Sequence, residues 1–430
     1  MNEPKLRLDQ FFDQAMDLRQ STNATEKPEL DPSLWPYEDD KLINEGGMKR
    51  VLRCRDRRSG RFVARAEVLR PEDNEKFLRE ARLTAQLQHP NIMPIYEIGA
   101  RDGRDIYFTM KLVIGGDLED LLGRLRSGDE DAFYSYPLEA RLEIFSRICE
   151  AMAYAHEHGV IHLDLKPANI QISAHGEVLV CDWGIARVLD EVCVDPGLLD
   201  ISLAAHELNS MTCDGYIKGT PGYMSPEQAG GHKTRKSQSS DIYSLGAILY
   251  CLICLQKPIP GKTVEEILAF TRRGVVQPLE RFRRRMNIPS GLESICMKAL
   301  EHRPEDRYAT VNDLQQDLNK YRYGFATSAE NASFVKQFQL LIKRNRKIVS
   351  VVAAALCFVV VLTAIFVVNL SIKEAQAKNA SEKATGAQRI AEEAQFRAEM
   401  AQKLAEERQL ALQAEINRSK GRAAVPASER

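Results

Sequence analysis

Residues 160–184 read VIHLDLKPANIQI, then SAHGE, then VLVCDWG. Two apolar pieces, Ile170–Ile172 and Val178–Cys181, flank the polar turn Ser173–Gly176, a pattern that predicts a hairpin. Asp164, Lys166 and Asn169 stand just before it and Asp182 just after it. The hairpin is therefore expected to bring three oxygen-bearing side chains and one ammonium to a single edge. Two carboxylates and a carboxamide suit Mg²⁺, which takes oxygen ligands and shares them with phosphate. A lysine among them suits a phosphoryl group in transfer.

The order His162-x-Asp164-Leu-Lys166-x-x-Asn169, followed by Asp182-x-Gly184, resembles the catalytic and metal-binding loops of protein kinases. The resemblance implies an α+β two-lobed protein-kinase-like fold, with a small β-rich N-lobe and a larger helical C-lobe. It implies ATP and Mg²⁺ in the site and a protein as substrate. Carried over position by position, it gives Asp164 the substrate hydroxyl and its proton, Lys166 the γ-phosphate, and Asn169 and Asp182 the metal. Lysine two residues after the aspartate is the serine/threonine pattern. Leu163 stands where the family usually carries Arg, and Trp183 where it carries Phe.

The chain has 430 residues and a formal net charge of −1, so bulk charge gives no reason to expect a nucleic-acid partner. Eight of its nine cysteines are spread over the first 300 residues, which fits a reducing compartment. Cys251 and Cys254 form a CxxC inside an apolar run, with no second Cys/His pair nearby, so buried core thiols are expected rather than a metal or redox site. The N-terminus lacks the charged, apolar and small-residue succession of a cleaved export peptide. Ile348–Leu370, in contrast, carries no charge and has about the 20 residues needed to cross a bilayer. Lys343, Arg344, Arg346 and Lys347 precede it, whereas Lys373 is followed at once by Glu374. The positive-inside rule then places the N-terminal part in the cytoplasm and the C-terminal helix on the opposite side.

In chain order, residues 1–36 are polar and proline-bearing and read as a disordered tail with one short apolar turn at Phe11, Phe12 and Met16. Residues 37–325 carry the kinase-like pattern. Around Glu45-Gly-Gly-Met48 the chain resembles the glycine-rich hairpin that kinases fold over ATP phosphates, where the backbone itself must approach the ligand. Gly46 keeps the middle glycine position with Gly47 beside it, Asn44 takes the first and Lys49 the third, and Val51 follows. Val63-Ala64 resembles the start of the V-A-I-K strand, which puts Ala66 at the lysine position; one register on stands Glu67. Glu80, on a helix expected over Asp73–Gln88, falls where the family carries the glutamate partner of that missing lysine. Met110 falls at the gatekeeper, and Lys111–Val113 at the hinge against adenine.

Helical spacing over Arg141–His158 predicts a buried helix. Residues 187–217 form a long segment ending in Gly219-Thr-Pro-Gly-Tyr-Met-Ser-Pro-Glu227, which resembles the end of an activation segment with Thr220 facing Asp164. Ser240-Asp-Ile-Tyr-Ser-Leu-Gly246 resembles the start of the family's central C-lobe helix and Ala299–Tyr308 its closing motif, a resemblance that implies Asp241 bracing the catalytic-loop backbone and Glu227 pairing with Arg307. Glu45-Gly-Gly-Met48, His89-Pro-Asn-Ile92 and Gly219-Thr-Pro-Gly-Tyr-Met224 resemble the motif style of bacterial membrane-anchored serine/threonine kinases. Residues 326–347 read as a basic linker, 348–370 as the membrane helix, 371–420 as a helical stalk and 421–430 as a frayed end. The stalk repeats alanine from Ala377 to Ala405 at alternating steps of three and four, a heptad seam with little apolar area to bury. A single solvated helix and a coiled-coil-like pair of two copies both fit it.

Two functions follow from these motifs. One is an active serine/threonine kinase. The other is a pseudokinase scaffold that binds nucleotide or partners, favoured by the lost strand lysine and the eroded glycine loop. Lys49 bears on the choice, because "with-no-lysine" kinases supply the phosphate-binding lysine from this same position of the glycine loop. A solvent-facing lysine is the other reading.

Overall fold

The computed structural model describes residues 35–102, 105–189, 219–230, 236–330 and 333–422. They divide into two units, with the boundary between Leu341 and Ile342. Residues 1–34 of the tail expected over 1–36, Cys193, Cys213 and most of the segment 187–217 lie outside the described residues.

The N-terminal part is a five-stranded antiparallel sheet in the order β1-β2-β3-β5-β4, built from β1 (Tyr37–Glu45), β2 (Lys49–Asp56), β3 (Phe62–Val68), β4 (Ile95–Arg101) and β5 (Asp105–Lys111). Period-two alternation sends β3 side chains to two different layers. Ala66 packs with Phe77 and Ala81 of α1 (Asn74–Gln86) and with Phe108. Val63 packs on the other face with Tyr37, Cys54, Tyr107 and Trp35. Trp35, assigned to the tail on sequence, belongs to this layer, with its ring centroid 5.2 Å from that of Tyr107. Arg65 is fully buried there, its guanidinium 2.6 Å from Asp40 and 2.8 Å from Glu67, under the Trp35 and Tyr37 rings. A buried charge is tolerable only when paired in this way.

The C-terminal part of this unit is helical. After β6 (Gly115–Asp117) come α2 (Leu118–Ser127), α3 (Glu130–Ser135) and α4 (Leu138–Glu157). Strands β7 (Val160–Ile161), β8 (Ile170–Ser173), β9 (Val178–Val180) and β10 (Arg187–Val188) follow. Then come α5 (Pro226–Ala229), α6 (Gln238–Cys254), α7 (Val264–Arg272), α8 (Glu280–Met286), α9 (Ser290–Ala299) and α10 (Val311–Arg322). Helix α6 is buried on every side from Ser240 to Cys254, which accounts for its all-round apolar sequence. Gly246 lets α9 approach it, since a Cβ there meets the Ala299 Cβ at 2.9 Å. Cys251 and Cys254 are buried free thiols of this helix. Burial pushes them up to about 12 and about 11, so both stay protonated.

Glu227 and Arg307 form the ion pair expected from sequence, in a bidentate geometry at 2.8 and 2.9 Å. Ser240 donates to Glu227, and Arg307 donates to the carbonyls of Ser239, Glu301 and His302. The pair is buried, so removing one partner strands the other charge. Glu227→Ala is expected to destabilise this unit by about 3 kcal/mol. Urea unfolding checks it by fluorescence, because Trp35 and Trp183 are the chain's two tryptophans. A loss below about 1 kcal/mol, the surface-pair range, would contradict the expectation.

Residues 326–347, read as a linker, hold the helix α11 (Phe334–Arg344). Beyond it the apolar run Ile348–Leu370 and the stalk are one uninterrupted helix, α12 (Arg346–Arg422), which passes Gly421 before residues 423–430 leave the described range. Among the described residues α12 is the one helix long and apolar enough to cross a membrane.

Candidate active site

Hairpin β8–β9 forms with Ile170 opposite Val180 and Ile172 opposite Val178. Its backbone ties the two metal-ligand candidates together, as Cys181 N donates to the Asn169 carbonyl at 2.9 Å. The loop before it is over-determined. Asp241 is wholly buried and accepts from His162 N, Leu163 N and His156 Nε2, each at 2.8 Å. Leu163 has a φ of +67°. A non-glycine residue held in this region costs on the order of 1 to 3 kcal/mol and persists only where surroundings fix it. Asp241 fixes its N–H, and the Gln228 amide donates to its carbonyl at 2.7 Å. Gln228 was not singled out from sequence, and no local pattern marks it.

Asp164 is the hub. Its Oδ1 accepts from the Thr220 N–H at 3.0 Å and hydroxyl at 2.9 Å, and its Oδ2 from the Lys166 ammonium at 2.8 Å. Lys166 also donates to the Thr220 hydroxyl at 2.9 Å, and Asn169 Nδ2 donates to the Asp164 carbonyl at 2.8 Å. Trp183 fills the phenylalanine position, buried, with its ring 4.6 Å from that of His162.

Between the sheet and this loop lies a cleft of about 240 Å³. Lys49, Val51, Ala64, Glu80, Met110, Lys111, Val113, Asn169 and Asp182 all line it. Gly46 and Gly47 do not line it; they sit in the β1–β2 turn, and a Cβ on Gly47 meets nothing within 4 Å. Ile43, Gln171 and Cys181 line the cleft without having been expected, and Leu112 lines it from within the expected hinge. The Lys111 ammonium leaves the hinge to reach Glu177 at 2.5 Å.

Ala66 sits at the usual lysine register, opposite Val51 and Phe108, its methyl turned into the α1 interface. The ammonium that meets Glu80 stands on the neighbouring strand β2. Lys49, the first residue of β2, pairs with Glu80 of α1 and lies 3.3 Å from Asp182. Burial alone would lower the Lys49 pKa, but the Glu80 and Asp182 carboxylates outweigh it and hold the group above its ordinary value, as an ammonium. Asp182 is pulled the other way: burial works to raise it, and Lys49, His162 and Lys166 keep it below the usual carboxylate range. An ionised carboxylate, half-exposed to the cleft, beside a carboxamide is a donor set of hard oxygens that fits Mg²⁺. Burial also pushes the Cys181 thiol up to about 12, so it lines the cleft as a neutral group.

Residues 37–318 match the family model described as the protein kinase domain. Serine/threonine-protein kinase PknD of Chlamydia felis is 35% identical over 299 residues, covering 67% of this chain and 31% of the relative. The protein of the same name from Protochlamydia amoebophila is 34% identical over 297 residues, 67% of this chain and 30% of its own length. That of Chlamydia trachomatis serovar D is 36% identical over 306 residues, 67% and 32%. The matched part thus spans about a third of the length of these curated relatives.

Proposed function

This chain belongs to the protein kinase family, and on that premise we propose that it transfers the γ-phosphate of ATP to serine or threonine hydroxyls of a protein substrate. In this reading Asp164 orients the attacking hydroxyl and takes its proton. Lys166, held beside it, faces the γ-phosphate. Asn169 and Asp182 hold Mg²⁺, which when bound offsets phosphate charge. Lys49 serves as the phosphate clamp in place of a strand lysine, with Glu80 aiming it. A lysine acts on phosphate as a point charge, so its strand of origin matters less than where its nitrogen ends.

The observation that carries the proposal is the Lys49 ammonium set between Glu80 and Asp182, together with the Asp164–Lys166–Thr220 cluster. A scaffold that only binds nucleotide has use for the first and no need of the second. The same reading makes the chain a single-pass membrane protein through Ile348–Leu370, with its kinase domain cytoplasmic and its C-terminal helix on the other side. Pairing of two copies along the alanine seam supplies a route to control, since raising local concentration favours phosphorylation between copies.

The test is transfer from radiolabelled ATP and Mg²⁺ by the detergent-solubilised full chain, with hydrolysis of the product to identify phosphoserine and phosphothreonine. Leu163 removes the arginine that in the family reads a phosphorylated loop. Prior phosphatase treatment is therefore expected to leave the rate within about twofold. Nucleotide binding with no transfer would return the chain to the pseudokinase reading. Transfer abolished by phosphatase would contradict the role given to Leu163.

A further inference from the structure

Helix α11 carries Phe334, Val335, Phe338 and Leu341 at positions i, i+1, i+4 and i+7, which share one arc of a helix. They are exposed by 90%, 68%, 62% and 45%. Lys336 and Lys343 fall on the opposite side by the same spacing. From Ser333 to Lys347 there is no acidic residue, and five basic ones: Lys336, Lys343, Arg344, Arg346 and Lys347. Only Asn345, Arg346 and Lys347 separate the end of α11 from Ile348, where the uncharged run begins.

We propose that α11 is an interfacial helix seated on the bilayer that Ile348–Leu370 crosses. Its phenylalanine arc enters the boundary between headgroups and acyl chains, and Lys343, with Arg346 and Lys347 just after the helix, faces the phosphates of anionic lipids. The inference rests on the reading of Ile348–Leu370 as a membrane span. Three observations select a lipid surface as the occupant. Chain continuity delivers the helix to the headgroup layer. The charge is of one sign, as an anionic leaflet attracts. The two faces divide into aromatic and basic, the pattern of helices that lie in the membrane plane. The Lys336 ammonium is bonded to Glu330 and to the Ser290 hydroxyl, which ties the first turn of α11 to the domain before it. Aromatic side chains on the opposite arc take no part in that tie.

The experiment uses the full chain in vesicles of phosphatidylcholine and phosphatidylglycerol, with Phe338→Trp and Val359→Trp made separately. The unsubstituted chain supplies the signal of Trp35 and Trp183 for subtraction. Lipid brominated near the headgroup end of its chains is expected to quench Phe338→Trp by about half. Lipid brominated near the methyl end quenches it less, and the order reverses for Val359→Trp. Omitting phosphatidylglycerol lowers the quenching at 338 and leaves that at 359 unchanged. If Val359→Trp is quenched and Phe338→Trp is not, the interfacial helix is wrong and the span stands. If Val359→Trp is unquenched, the span itself is wrong. A blue-shifted but unquenched Phe338→Trp means that the arc is covered by protein, from this chain or a second copy, and also overturns the proposal.

Discussion

Lys49→Met is expected to lower kcat/KM for ATP-dependent transfer by about 10²- to 10³-fold, the size of effect seen when one preorganised donor to a transition-state charge is removed. The two lysines that line the cleft among the described residues are Lys49 and Lys111, and Lys111 is committed to Glu177 at 2.5 Å. No second ammonium stands ready to substitute from the N-lobe. Methionine keeps the length and apolar stem of the side chain, so the change removes charge with little loss of packing. It also strands Glu80, which is 4% exposed, and leaving such a group unpaired costs on the order of 2 to 3 kcal/mol. Lost activity could then be mistaken for lost stability. Lys49→Met combined with Glu80→Gln separates the two: thermal stability returns toward that of the unsubstituted chain, and transfer does not. If Lys49→Met retains transfer within about threefold, the phosphate clamp is elsewhere and the proposal for Lys49 fails.

The contrast between Lys49 and Ala66 shows which parts of the site were legible in the sequence. Asp164, Lys166, Asn169 and Asp182 could be read because a short hairpin brings them together, and hairpins are written in local alternation and turn residues. The Glu227–Arg307 pair and the Asp241 brace were legible through motif spacing, and the structure places both. The sequence places Ala66 at the lysine register, but whether Lys49 reached the cleft depended on how β2 lies against α1. That is a tertiary fact, as Lys49 and Glu80 are 31 positions apart in the chain.

Contacts of greater separation left no local trace. Gln228 holds the Leu163 carbonyl across 65 residues, and Lys111 meets Glu177 across 66. Leu163 itself read as a missing arginine, whereas the structure makes it a buried residue of positive φ, pinned by Asp241 and Gln228. The aromatic shell around Arg65 was illegible for a related reason. An arginine in a strand reads as solvated, and only the assembled sheet brings Asp40, Trp35 and Tyr37 around it. At the other end, sequence divided linker, span and stalk by composition, but backbone hydrogen bonding in α12 continues through changes of composition.

Asp164→Asn is expected to have the larger effect on the chemical step, a fall in kcat of about 10²- to 10⁴-fold, the range for loss of a positioned general base. The substitution keeps the shape of the side chain and one acceptor for the Thr220 N–H and hydroxyl. It removes the charge that holds Lys166 at 2.8 Å, and it removes the proton acceptor. Asp164 does not line the cleft, so KM for ATP is expected to change by less than about threefold. The two substitutions therefore divide the site. Lys49→Met acts where phosphate binds and moves KM and kcat together, whereas Asp164→Asn acts on the hydroxyl and moves kcat alone. A comparison with Thr220→Ser and Thr220→Ala checks the geometry behind this split. Serine keeps the hydroxyl shared by Asp164 and Lys166 and should retain most of the rate; alanine removes both bonds and should lower it. Single-turnover measurements with ATP held saturating give the decisive number. If Asp164→Asn slows the chemical step by less than tenfold, proton removal lies outside the step that limits transfer, and the role given to Asp164 is wrong.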